Sequence, residues 1–176
     1  MSGEKVRRAA VAGTWYPGAL ATLAAAIDGH LAHATRSLAG DLVALIAPHA
    51  GLMYSGPVAA HAYRLLKGRS FDVIALVGPS HFVALDGVAL YRAGGFETPF
   101  GIAPIHEECA ARLVHDGSIV REHDAAHVRE HSLEMQLPFL QRLSPGSRIV
   151  PLLMGRQTAA TASDGSSAIS TCALRR

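Results

Sequence analysis

Two apolar runs constrain this chain more than any other feature: Leu42-Val43-Ala44-Leu45-Ile46-Ala47 and Val73-Ile74-Ala75-Leu76-Val77. Neither alternates with polar residues, and each is stopped by proline, Pro48 after the first and Gly78-Pro79 after the second. Such runs suit strands covered on both faces, as in parallel sheets. Between them Pro57 stands at a first helical position, and Val58 to Lys67 reads as a helix that stops near Gly68. Strand, helix and strand within about 40 residues make a βαβ unit, whose crossover is right-handed in roughly 98% of cases.

The remaining elements follow from periodicity. Leu20, Leu23, Ala24, Ile27 and Leu31 predict a helix to about His33, behind a turn that holds the only tryptophan, Trp15. Val88 to Tyr91 reads as a strand, Gly94 to Gly101 as a loop, and Ile105 to Val114 as a helix. A further helix spans Ser132 to Leu143, with Pro138 expected to kink or restart it. Arg148 to Met154 is the last strand. The predicted fold class is α/β, a mostly parallel sheet flanked by helices. Residues 1–157 form the domain, and residues 158–176, small and polar without periodicity, read as a disordered tail.

Composition closes off several function classes. With 49% hydrophobic and 17% charged residues, the chain has ample material for a core, which excludes general disorder. No uncharged apolar run reaches the ~18–20 residues of a membrane span, and the N-terminus lacks the apolar stretch of a signal peptide. A formal charge of +2 gives no reason to expect nucleic acid or an anionic membrane as partner. Two cysteines, Cys109 and Cys172, without CxxC spacing, argue against a disulfide framework and for a cytoplasmic address. Cys109 itself reads as core. Arginine in place of lysine and abundant alanine suggest a bacterial genome of high GC content.

Ten histidines are the compositional excess that can carry chemistry. His49 lies two residues past the first run and His81 four past the second. Ligands of open α/β sheets bind outside the carboxyl ends of strands. Adjacent strands lie about 4.8 Å apart, so two imidazoles leaving one sheet edge can share a metal. The competing reading is that both merely cap strand ends by hydrogen bonding. His123-Asp124-Ala125-Ala126-His127 mimics HExxH but carries Asp, one methylene shorter, where the general base belongs; a solvated loop is the plainer reading. Gly78-Pro79-Ser80-His81-Phe82 follows a strand as a nucleophile elbow does, yet Phe82 replaces the second glycine, so Ser80 reads as a hydrogen-bonding neighbour of His81. Glu130 and Glu134 are candidate partners for a histidine N–H.

The chain resembles the Memo family. The matching segments are Ala12-Gly13-Thr14-Trp15-Tyr16-Pro17, Ile46-Ala47-Pro48-His49-Ala50-Gly51 with Tyr54-Ser55-Gly56, and Ala60-His61-Ala62-Tyr63. They continue through Gly78-Pro79-Ser80-His81, Glu97-Thr98-Pro99, Glu130-His131-Ser132-Leu133-Glu134-Met135-Gln136-Leu137-Pro138-Phe139 and Ile149-Val150-Pro151-Leu152-Leu153-Met154-Gly155. The resemblance implies a fold similar to class III extradiol dioxygenases, which use non-haem iron. It implies His49 and His81 as metal ligands, His131 as a pocket residue able to move protons, and Trp15, Tyr54, Ser80 and Glu134 as pocket or supporting residues. The implied cofactor is Fe(II) or Cu, with no organic cofactor. In bacteria the family is often called the B component of the AmmeMemoRadiSam system, which implies a radical-SAM partner.

Family members usually run to about 260–300 residues, as the resemblance implies, and their later part completes the metal site. The fold is therefore expected to be incomplete here, a truncated domain without a third ligand, and non-haem oxygen chemistry calls for a facial triad. Two functions follow as expectations. One is a metal-binding, dioxygenase-like protein with a redox role; the other is a non-catalytic module that binds a small molecule or peptide in the same pocket.

Overall fold

The computed structural model describes residues 5–114, 119–156, 158, 159, 161 and 163. The elements run in the order β1 (Val6–Arg7), α1 (Leu20–His33), α2 (Leu52–Tyr63), β2 (Val73–Pro79), β3 (Val88–Leu90), β4 (Gly95–Thr98), β5 (Gly101–Pro104), α3 (Glu107–Leu113), β6 (Val120–Glu122), α4 (Asp124–His127), α5 (Leu137–Leu143) and β7 (Arg148–Met154). The fold is α/β, as the apolar runs predict. The larger sheet has the order β2-β7-β3-β6, and a smaller one the order β1-β4-β5. Pairings β2–β7, β3–β6 and β1–β4 are parallel; β3–β7 and β4–β5 are antiparallel. The sheets are thus mixed, with parallel pairing in the majority. Helices α1, α2 and α5 pack together, with Leu23, Ile27 and Phe139 in the core and the Tyr63 and Phe139 rings stacked at 4.9 Å.

The first apolar run departs from expectation. Leu42 to Ala47 forms no ladder; it runs along the surface, Leu42, Leu45 and Ala47 packing on the core while Val43 and Ile46 stand 95% and 97% exposed. A strand needs a neighbour's backbone groups as well as its own composition. The strand nearest in kind, β2, bonds only to β7 among the described residues. The helix that follows begins at Leu52, so Pro57 lies inside it. The cost is the hydrogen bond that residue 57 would have made to the Met53 carbonyl, on an exposed turn that water can satisfy.

Three strands, β4, β5 and β6, form where none was expected. Gly94 to Gly101 folds largely into the β4–β5 hairpin, turning at Gly101, whose φ of 102° is left-handed backbone that glycine adopts without strain. β6 arises from Val120-Arg121-Glu122, too short and polar to carry a period. Pro138 restarts the helix as expected: a 3-10 turn at Glu134–Gln136 leads into α5 with the proline in its first turn. Cys109 is buried in α3, as its core reading expects; the other cysteine, Cys172, lies outside the described residues. Most of the expected tail lies outside them too. Among the described residues no helix is long and apolar enough to cross a membrane.

Candidate metal centre

β2 ends at Gly78-Pro79 beneath the segment His131-Ser132-Leu133. A β-carbon on Gly78 would stand 2.9 Å from the Ser132 hydroxyl and from a Leu133 methyl, so a larger residue there would push those side chains aside. The Ser132 hydroxyl donates to the Pro79 carbonyl at 2.9 Å and fixes the contact. It brings His81, just past β2, beside His131: their rings stack with centroids 4.6 Å apart and planes 15° from parallel. His49, on the loop after the first apolar run, completes the group, its ring 5.3 Å from His81 and 6.0 Å from His131.

One ligand atom from each of His49, His81 and His131 lies within 4.8 Å of the others. An ion bound at about 2.1 Å to each nitrogen draws its donors to roughly 3.0–3.4 Å apart, so the trio closes by at most about 2 Å. Two of the rings sit on loops that permit this. The donor set suits a transition metal, since neutral imidazole binds Zn, Cu, Fe and Ni. Burial, then the neighbouring His81, pushes the His49 imidazole below its usual pKa, and burial is also the main cause of the lowered pKa of His131. Both are therefore neutral, with lone pairs available at neutral pH.

Glu130 organises the group from below. Its carboxylate accepts from the His81 backbone N–H at 2.6 Å, the His81 Nδ1–H at 2.9 Å, the His131 N–H at 2.8 Å and the Ser132 N–H at 2.9 Å. Burial works to raise this carboxyl, but the four donors outweigh it and hold the pKa at about 2. An anion on Nδ1 fixes the proton there and turns the bare Nε2 outward, as carboxylate–histidine–metal arrangements do. The sequence offered Glu130 and Glu134 on equal terms; only Glu130 touches a histidine.

Glu134 does something else. With Arg7 it forms an ion pair whose side chains are 0% and 1% exposed. Its oxygens also accept from the Ala10 N–H at 2.8 Å, the Val11 N–H at 3.0 Å and the Tyr16 hydroxyl at 2.7 Å. Arg7 donates Nε to the His127 carbonyl at 2.9 Å and Nη2 to the Glu130 carbonyl, and lies over the Phe96 ring. The pair ties the N-terminal turn to the histidine segment and so sets Trp15, 39% exposed, with its ring 4.2 Å from that of His131. Arg7 had no signal in the sequence, because a lone arginine near a terminus reads as surface charge.

The other expected pocket residues are placed as follows. The Ser80 hydroxyl donates to the Val83 carbonyl at 2.7 Å, shaping the loop that carries His81 without meeting its ring. Tyr54 is exposed on α2 and packs over Gly51, while the Trp15 carbonyl accepts from the Leu52 N–H at 2.8 Å. The HExxH mimic does not assemble: His123 caps the four-residue α4, and His127 is buried with its Nε2 on the Ala89 carbonyl at 3.2 Å. His131, given no ligand role by the motifs, is the third histidine of the group that could hold a metal ion.

A family model described as Memo-like protein matches residues 7–175. A MEMO1 family protein of Aeropyrum pernix is 39% identical over 165 residues, 88% of this chain and 59% of that protein. One from Methanobrevibacter smithii is 37% identical over 175 residues, 93% and 62% respectively. One from Pyrobaculum arsenaticum is 35% identical over 175 residues, 95% and 62%. The chain thus spans about three fifths of the length of these curated relatives. They come from archaea and lend no support to the bacterial source read from composition. Colinear motifs, the α/β fold and the family match agree: this chain belongs to the Memo family.

Proposed function

We propose that the protein is a metal-binding member of its family, with His49, His81 and His131 holding one Fe(II) or Cu ion in a dioxygenase-like pocket that serves a redox role. The convergence of three imidazoles within 4.8 Å, one of them oriented by a buried carboxylate, carries the reading. A bound ion of this kind supplies Lewis acidity and electron transfer. The chain's residues do the rest. Glu130 holds the His81 proton at Nδ1, Trp15 covers one side of His131, and the hydroxyl of Tyr16 stays protonated because burial and Glu134 push its pKa up. His131 then serves as third ligand, in place of the proton carrier read from the resemblance.

Metal analysis of the purified chain, beside His49→Ala, His81→Ala and His131→Ala, tests this. Near-stoichiometric metal is expected in the parent and at least tenfold weaker binding in each variant. Unchanged metal in all three overturns it. A second reading, a recognition module without turnover, is favoured by the half-exposed rings of Trp15 and Phe82 beside the trio. It gains if metal binds but no catechol supports O₂ uptake. The radical-SAM partner belongs to the same proposal and is tested by co-purification. So does the cytosolic address, which is tested by cell fractionation.

A further inference from the structure

Two aromatic rings stand beside the trio on its outer side. Trp15 lies 4.2 Å from the His131 ring, and Phe82, 50% exposed, meets the same ring edge-on at 6.0 Å. The guanidinium of Arg129 lies over Phe82, 5.0 Å from its centroid. The carboxylates closest to the trio are already engaged, Glu130 by His81 and two backbone N–H groups, Glu134 by Arg7. Among the described residues Arg129 has no carboxylate partner; Arg36, Arg64, Arg69, Arg121 and Arg148 lack one too, but only Arg129 lies over a ring that meets His131. A guanidinium resting on a ring face still points its planar fork of N–H donors outward.

We propose that Arg129 reads an anionic group on the ligand of this site: a planar ring that packs against Trp15 and Phe82, with its carboxylate or phosphate held by the Arg129 fork. The placement rests on reading the trio's pocket as the ligand site, but it needs no bound metal. Half-exposed rings supply area and stacking without discriminating charge. The arginine supplies the discrimination, because charge-assisted, two-point hydrogen bonds to a planar anion are lost when the anion becomes an amide. Arg129 is placed here as a specificity residue that touches ligand.

Trp15 is the only tryptophan, so its emission reports on the site alone. Phenylacetate and phenylacetamide, which differ in charge and little in shape, are titrated into the chelator-treated chain and then into the chain with Zn(II). In the metal-free arm phenylacetate is expected to bind about tenfold tighter than the amide. Arg129→Gln should erase that ratio while leaving the amide unchanged, Arg129→Lys should keep part of it, and Phe82→Leu should weaken both probes. Equal affinities, a ratio that survives Arg129→Gln, or no saturable quenching by phenylacetate each overturn the proposal. Zn(II) titration separates the two readings. Failure to bind Zn(II) with discrimination intact defeats the metal centre alone, and Zn(II) binding without discrimination defeats only the role of Arg129.

Discussion

Glu134→Gln isolates the strongest unseen commitment in this fold. The side chain is fully buried, and one of its oxygens faces two donors, the Arg7 guanidinium and the Ala10 N–H. Glutamine has nearly the same shape, but its amide NH₂ would confront donors if it took that place. In the other orientation it would confront the Val11 N–H and the Tyr16 hydroxyl. Breaking a buried ion pair on one side costs about 3–5 kcal/mol, mostly because the remaining charge stays desolvated. That is a large share of the ~5–15 kcal/mol that holds a domain of this kind together. Urea unfolding of metal-free protein, followed by circular dichroism, measures it. The partner change Arg7→Met should recover much of the loss when combined with Glu134→Leu, giving a coupling of at least about 2 kcal/mol in the double-mutant cycle. Because the pair holds the turn that carries Trp15, the emission of folded Glu134→Gln should also shift. A loss below about 1 kcal/mol with no coupling would refute the reasoning, since the charge would then have found water.

Three further outcomes are expected. His127 is buried, and burial drives its pKa down to about 4 from the ordinary 6.5, against the pull of the Ala89 carbonyl; its Nδ1 has no partner among the described residues. The unfolded chain therefore binds the extra proton first, so stability present above pH 6.5 falls as pH drops toward 4, by up to about 3 kcal/mol from this group, and His127→Gln should flatten that slope in pH-dependent melts. Glu130→Gln should weaken Zn(II) binding about 10–100-fold in competition titrations by loosening the His81 proton, and an unchanged affinity would remove Glu130 from the site. Ile46→Lys should change stability by less than about 0.5 kcal/mol yet reduce self-association seen by sedimentation, because Val43 and Ile46 are large apolar side chains almost wholly exposed to solvent; substantial unfolding would mean that Ile46 is packed.

The patterns that read correctly were those whose cause is local. The Val73–Val77 run became β2, Pro138 restarted a helix, and the Leu23 and Ile27 stripe became the buried face of α1. Leu42 to Ala47 read as the twin of β2 and is not a strand, because pairing depends on what lies alongside. Glu130 and Glu134 sit four apart in one motif with equal claims on a histidine, and nothing in their spacing reveals that one meets His81 and the other Arg7, 127 positions away.

By itself the sequence determined the α/β class, the two histidines that follow the apolar runs, and the family. These properties are written in periodicity, chain punctuation and colinear motifs. Only the tertiary structure decided that His131 joins His49 and His81, that Glu130 orients His81, and that Trp15 and Phe82 both meet the His131 ring, with Arg129 over Phe82. Each of those facts depends on close approach between segments far apart in the chain. Such an approach is set by the crossing at Gly78 and by the buried Arg7–Glu134 pair, contacts that no local spacing encodes.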